Sequence, residues 1–306
     1  MAKSTVIDPR LWLVQRLSLA SSVLVAAIVV SGAAVRLTGS GLGCENWPAC
    51  GKHQLTPALS FHPLIEFSNR LVTVLLVIVV GASLIAVLRL RTKRRDLVWL
   101  SAGLVFGVIG DAVLGGIVVY SKLNPYLVMT HLWWSLIIVI DAVVFWHRAH
   151  RDVTVSSRVA VSKGASKASW LLAAVLSLVV ALGTATSGTG PHAGGFGTQQ
   201  VAKRIPVELR TMAEYHALIA MLLVGLVVGI VLIVGSSEAS PEFLLTSRRL
   251  LGLLVLQGGI GWLQYATHLP ALVVELHVAG ALMATIGTTR LILATKWRPL
   301  VQATRS

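Results

Sequence analysis

Charged residues are scarce. Only 12% of the 306 residues are Asp, Glu, Lys or Arg, about half the share of an ordinary soluble domain. That excludes a chain solvated mainly by water. Acidic residues are scarcer still, with 12 Asp and Glu against 26 Lys and Arg. The resulting charge of +14 invites a nucleic-acid partner. The placement of the basic residues excludes one, because they gather in short segments between apolar runs, the positive-inside pattern of membrane proteins. Cysteine is almost absent. Cys44 and Cys50 share one loop, and their C-x5-C spacing fits neither a zinc ribbon nor a c-type attachment motif. Strict apolar–polar alternation is missing too, which excludes a membrane β-barrel.

What is present is apolar sequence in long, continuous runs, 55% of the chain being hydrophobic. Eight runs are long enough to cross a bilayer as helices, near 17–36, 64–88, 97–120, 126–147, 169–187, 208–235, 248–266 and 270–294. The first run has a counterpart later in the chain and is read as a retained helix rather than a cleaved leader. Nineteen of the 26 basic residues fall on one side of these spans, in segments such as Arg89 to Arg95 and Arg148 to Lys167. Both termini are therefore expected on the cytoplasmic side of the cell membrane, with the cysteine loop outside. The basic, Ser-rich stretch 151–168 reads as a cytoplasmic linker between an N-terminal four-span unit, 1–150, and a C-terminal one, 169–306.

The two units look like repeats. Ser40-Gly41-Leu42-Gly43 recurs as Ser187-Gly188-Thr189-Gly190, and Asn69 matches His216, each 147 positions on. His131 matches His277, 146 positions on, and Gly115-Gly116-Ile117 recurs as Gly258-Gly259-Ile260. Four spans per unit make the repeats parallel. The expected fold is therefore all-α and integral to the membrane, with eight helices in two pseudo-symmetric four-helix bundles.

His131, His216 and His277 each lie several residues into an even-numbered span, as does Asn69. They share a depth near the outer face. Imidazoles on facing helices of a bundle are a common clamp for a haem. A single such histidine is more often bonded to a neighbouring helix; three at repeated positions favour the ligand reading. Glu66 stands one turn before Asn69, and an intramembrane acid is either a functional group or one partner of an ion pair, here with Arg70. Asp111 and Glu275 are further membrane acids, open to a proton path or a satisfied polar contact. His53, His62, His147, His150, His192 and His268 read as interfacial, with His192 and His268 also within reach of haem propionates. Trp133 and Trp134 read as interfacial belt. Cys44 and Cys50, on the oxidising side, are expected to pair as a disulfide, either a plain staple or a redox-active pair.

Together, Ser40-Gly41-Leu42-Gly43-Cys44, Cys50, Glu66-x-x-Asn69-Arg70, Thr130-His131, Tyr215-His216 and Leu276-His277 resemble the haem A synthase family over nearly the whole chain. The resemblance implies an oxidoreductase that converts a ring methyl of haem O to a formyl group, through an alcohol and a gem-diol that loses water. By the same resemblance the N-terminal bundle holds the substrate haem O, with His131 as ligand. The C-terminal bundle holds a haem b cofactor on His216 and His277. Glu66 is then the catalytic acid, and Cys44–Cys50 the outer-loop disulfide. Haem O, the bilayer, a haem O synthase and an electron donor are the implied partners. One position departs from the family, which commonly has Glu-x-x-His; Asn69 is a poor iron ligand and leaves His131 alone on the substrate. A non-catalytic dihaem cytochrome b would share the histidines without needing Glu66 or the cysteines. A haem transporter would share the parallel repeats. A farnesyl-transferring haem O synthase is disfavoured, since no Asp-rich pyrophosphate motif occurs.

Overall fold

The computed structural model describes residues 8–44, 46–51, 56–57, 59–151, 158–192, 194–195, 203–235 and 240–297. His53 lies outside them. Among the described residues there are eight long helices: α1 (Leu11–Leu37), α2 (Phe61–Leu88), α3 (Arg95–Tyr120), α4 (Pro125–Ala149), α5 (Lys163–Thr189), α6 (Leu209–Gly235), α7 (Pro241–Ala266) and α8 (Ala271–Leu293). All eight are long and apolar enough to span a membrane. The helix starts follow local chemistry. Asn124 accepts the amide of Tyr126 ahead of Pro125 at the first turn of α4, and Ser240 does the same for Phe243 ahead of Pro241 in α7.

Packing follows chain order. α1 packs on α2 and α4, and α3 on both of those; α5 packs on α6 and α8, and α7 on both of those. Four helices thus close a ring in each half, and the halves meet through α1 and α4 against α8 and α5. Small residues let the backbones approach. Ser18, Ser101, Ser169 and Ser247, one each on α1, α3, α5 and α7, are fully buried. Ser21 and Ser83 join α1 to α2 by a buried hydroxyl contact of 3.1 Å.

The two rings share an unusual turn. Between α3 and α4, Lys122 and Leu123 both take positive φ, 57° and 60°; between α7 and α8, His268 and Leu269 do so at 62° each. The amides of Leu123 and Leu269 return to the carbonyls of Val118 and Gln264, the same bond displaced by 146 positions. Two consecutive non-glycine residues in the left-handed region are costly. The recurrence gives His268 its place: it is the counterpart of Lys122 in a strained turn.

The linker expectation needs correction. Helix α5 begins at Lys163, not near 169, because Ser162 caps it by accepting the Ala165 amide at 3.2 Å. Ahead of it, β1 (Arg158–Val159) pairs antiparallel with β2 (Lys296–Trp297), a two-residue ladder that ties the segment to the end of α8. Arg151 also pairs with Glu242 at 2.6 Å.

The outer ends of the halves interlock. Arg36, on α1, donates to the carbonyls of His192 at 2.9 Å and Ser187 at 3.0 Å. The Gly41 amide donates to Gly194, and Ser40 bridges Gly195. The two recurring Ser-Gly-x-Gly motifs thus lie where the halves are stitched together. A Cβ on Gly41 would stand 3.1 Å from the Gly194 carbonyl, so the close approach needs glycine.

Candidate functional site

Asn69, His131, His216 and His277 all fall within the first three turns of α2, α4, α6 and α8, about 9–12 Å along each axis from its start. The expected common depth corresponds to a similar distance from the start of each helix. What the spacing did not reveal is how each imidazole is seated. His131 lies over Gly115 of α3, His216 over Gly183 of α5, and His277 over Gly261 of α7. A Cβ at those glycines would come within 3.4, 3.0 and 3.1 Å of the respective ring Cε1. The His216 and His277 rings therefore crowd the space a side chain would fill on the preceding helix, while His131 stands at ordinary contact distance.

This seating corrects one repeat match. Gly115-Gly116-Ile117 was paired above with Gly258-Gly259-Ile260, 143 positions on. By packing, Gly115 corresponds to Gly261, 146 positions on, the same step as His131 to His277. A slip of three residues is just under one helical turn, so the false match falls on a neighbouring face. Nothing lies within 4 Å of a Cβ built on Gly258 or Gly259.

The ring nitrogens are held in different ways. His216 Nδ1 lies 3.0 Å from the Val179 carbonyl, which makes Nδ1 the donor and leaves Nε2 with the lone pair. His131 Nδ1 lies 2.8 Å from Asp111 Oδ1. His277 Nδ1 is buried and has no hydrogen-bond partner among the described residues. The His216 and His277 ring centroids are 6.1 Å apart, at 77° to each other. Two neutral imidazoles facing across the C-terminal ring, with at least one Nε2 left free, suit the axial positions of a haem iron. Glu275 adds two buried carboxylate oxygens two residues before His277, and Gln264 a buried carbonyl on α7, all without a hydrogen-bond partner among the described residues.

The acid of the N-terminal ring sits in a dense polar knot. Glu66 is buried; its Oε2 accepts the Cys44 amide at 2.8 Å and its Oε1 faces Arg70 Nη2 at 2.5 Å. Of the two readings left open for Glu66, the ion pair with Arg70 is present. Arg70 reaches further, donating through Nη1 to the carbonyls of Asn46, Pro48 and Ala49 at 2.8 to 3.0 Å. Those carbonyls belong to the loop closed by the Cys44–Cys50 disulfide. Trp47 of that loop rests on Gly116, and Tyr120 donates to the Trp47 carbonyl at 2.8 Å. The disulfide loop is thus a cap pinned to α2 and α3, with the Glu66 carboxylate fixed beneath it. The structure brings Cys44, Cys50 and Glu66 together.

Asn69 points elsewhere. Its Oδ1 accepts a hydrogen bond of 2.6 Å from Ser31 on α1. His62 Nδ1 contacts Ser40 Oγ at 2.9 Å, and His192 Nε2 contacts the Leu269 carbonyl at 2.8 Å. His150 Nδ1 lies 2.8 Å from the Trp146 carbonyl. These histidines brace loops and helix ends. Trp134 donates to the Gly107 carbonyl at 2.9 Å, and Trp133 packs against the core. Sequence reasoning missed Arg70 as the organiser of the cap, and the seating glycines. It also missed Asp141, a half-buried acid in α4 beside Gly103. For Asp141 the signal was plain, a lone acid in an apolar span.

Fold and site together define a class: a polytopic helical membrane protein with histidines turned inward at one depth in two rings of four helices. The chain belongs to the family described as cytochrome oxidase assembly protein (COX15-CtaA), whose match covers residues 15–284. It is similar to the Heme A synthase of Geobacillus kaustophilus, 33% identical over 107 residues, which cover 34% of this chain and 32% of that protein. It is also similar to the Heme A synthase of Lysinibacillus sphaericus, 31% identical over 121 residues, 39% of each chain. The Heme A synthase of Geobacillus thermodenitrificans is 29% identical over 106 residues, 34% of this chain and 32% of that protein. The matched stretch spans about a third of the length of the first of these relatives.

Proposed function

We propose that this protein is a haem A synthase: an oxidoreductase of the cell membrane that oxidises the ring methyl of haem O to a formyl group. The observation that carries the reading is the repeated seating of His131, His216 and His277 over glycines of the preceding helices. Family membership supports it independently. In this reading the chain divides into the two repeat units set out from the sequence, joined by a linker that ends where α5 begins at Lys163. His216 and His277 would hold a resident haem b, and His131 would hold the substrate. Positive-inside charge puts both termini in the cytoplasm and the haem sites toward the outer face.

Bound haem supplies the electron transfer that the chain's own side chains lack. The chain supplies position and proton handling. Glu66 is the carboxylate that accepts protons as the substrate methyl is oxidised. Arg70 holds Glu66 by the ion pair and by the loop carbonyls it gathers, so the carboxylate cannot swing away. The disulfide cap covers it and limits access of water. Haem O enters from the bilayer, supplied by a haem O synthase, and a separate electron partner completes the cycle. A dihaem cytochrome b or a haem transporter would need neither the Glu66–Arg70 knot nor the cap.

The test is direct. Purified protein is given haem O, a reductant and oxygen, and the extracted haem is resolved by chromatography and mass spectrometry. A product carrying a formyl in place of the methyl is expected. Haem O recovered unchanged, with the bound haem merely cycling between oxidation states, would instead mark an electron carrier.

A further inference from the structure

We propose that Asp111 is a positioning residue that strengthens His131 as an electron donor, and that the two rings differ electronically because Gln257 stands where Asp111 would recur. This deepens the haem reading above and rests on it.

The geometry is local to α3 and α4. Asp111 Oδ1 lies 2.8 Å from His131 Nδ1, and Asp111 Oδ2 accepts the Ser135 hydroxyl at 2.7 Å. That hydroxyl also reaches the His131 carbonyl at 3.0 Å. The carboxylate is thus held through Oδ2 by Ser135, with Oδ1 facing the imidazole one turn earlier on α4. The Nδ1–Oδ1 distance is that of a charge-assisted hydrogen bond; the angle is not, so both atoms lack a hydrogen-bond partner with the ring as turned here. A carboxylate in an apolar span is costly unless paired, and His131 is the cation-capable group placed against it.

The C-terminal ring has the same framework with a different partner. One step of 146 positions carries His131 to His277, Gly115 to Gly261, and Asp111 to Gln257. Gln257 is uncharged, and its Nε2 donates to the His277 backbone carbonyl at 2.8 Å rather than engaging the ring. His277 Nδ1 and Gln257 Oε1 are both buried and without a hydrogen-bond partner among the described residues.

A carboxylate on Nδ1 does two things. It fixes the proton on that nitrogen, so that Nε2 carries the lone pair, and its hydrogen bond makes the imidazole a stronger ligand. An imidazole bonded to a carboxylate would stabilise oxidised iron and lower the reduction potential of a haem it held. A haem on His131 would therefore be harder to reduce with Asp111 present than with an amide in its place. A simple polar contact would make no such demand, because an amide keeps the shape and the acceptor but not the charge.

The test is a spectroscopic redox titration of the full-length protein loaded with haem. The N-terminal haem is the one lost in His131→Ala. Asp111→Asn is expected to raise the midpoint potential of that haem and leave the other unmoved. An unmoved N-terminal potential, or an equal shift in both, overturns the proposal while leaving the haem reading intact. No His131-dependent haem in the unsubstituted protein overturns both. A second measurement avoids reliance on folding of the Asn variant. In His131→Gly, added imidazole can donate its second N–H to Asp111, whereas 1-methylimidazole cannot. Imidazole is expected to restore the N-terminal haem spectrum at a concentration at least several-fold lower; equal rescue by the two overturns the proposal.

Discussion

Arg70 Nη2 and Glu66 Oε1 are 2.5 Å apart, one turn along α2, and the same guanidinium gathers three carbonyls of the disulfide loop. The acid proposed for catalysis and the cap that covers it are therefore one unit. Glu66→Gln keeps the shape and can still accept the Cys44 amide, but removes the charge. We expect this variant to bind haem normally and to form less than about a hundredth of the normal haem A, a loss in the range of a missing acid–base group. Activity near that of the unsubstituted protein would assign Glu66 to holding the cap alone.

Arg70→Met separates the two roles. The disulfide remains, while the loop carbonyls and Glu66 lose their shared donor. Losing charge-assisted bonds at a mostly buried site costs on the order of 2 kcal/mol. We expect a lower thermal midpoint and faster proteolysis between Cys44 and Cys50, with the C-terminal haem spectrum unchanged. A loop as resistant as before would mean that Trp47 on Gly116 and the disulfide suffice to pin it.

The seating glycines give a graded prediction. A methyl at Gly183 or Gly261 would stand 3.0 or 3.1 Å from a ring Cε1, closer than ordinary contact, whereas at Gly115 the distance is 3.4 Å. Gly183→Ala and Gly261→Ala are expected to push His216 or His277 off its position and weaken the bis-histidine haem spectrum, at a packing cost of about 1–3 kcal/mol. Gly115→Ala is expected to be nearly neutral. Equal effects at all three positions would contradict the seating. Removing a ligand outright, in His216→Ala or His277→Ala, should abolish the low-spin spectrum; its persistence in both variants would remove the haem b assignment.

Much of this was legible in the sequence, and the misses have physical causes. Span positions came from the length of apolar runs, which a bilayer dictates; observed helices start earlier at α5 and α7, where Ser162 and Ser240 cap a polar first turn, and at α1, which starts at Leu11 with no side-chain cap. The depth of His131, His216 and His277 was readable because a fixed rise per residue turns sequence position into height. Which residue faces each ring was not readable, since a three-residue slip leaves a glycine match looking sound while moving it round the helix. The partners of Glu66 were half readable: Arg70 is four residues on, but the Asn46, Pro48 and Ala49 carbonyls reach it only through the fold of the loop.

Asn69 carries the last prediction. It stands where its repeat partner is His216, and its Oδ1 accepts from Ser31 Oγ at 2.6 Å. His216 in the other ring is oriented by the Val179 carbonyl, likewise on the first helix of its ring. The two positions thus use the same neighbour element, a hydroxyl in one ring and a carbonyl in the other. An amide so held does not offer iron a basic nitrogen, so in the proposed reading His131 would be the single protein ligand of the substrate haem. A singly held haem leaves more readily, as a substrate must. Asn69→His would put an imidazole at this depth with Ser31 still present to bond its Nδ1 and steer Nε2 inward. We expect the N-terminal haem to become six-coordinate and low-spin, to dissociate at least about tenfold more slowly, a difference of about 1.4 kcal/mol, and to turn over more slowly. Asn69→His combined with Ser31→Ala should recover part of the fast release, because the new ring loses its orienting hydroxyl. If the unsubstituted protein loaded with haem O already shows two bis-histidine haems, another histidine fills the sixth position and the single-ligand reading is wrong.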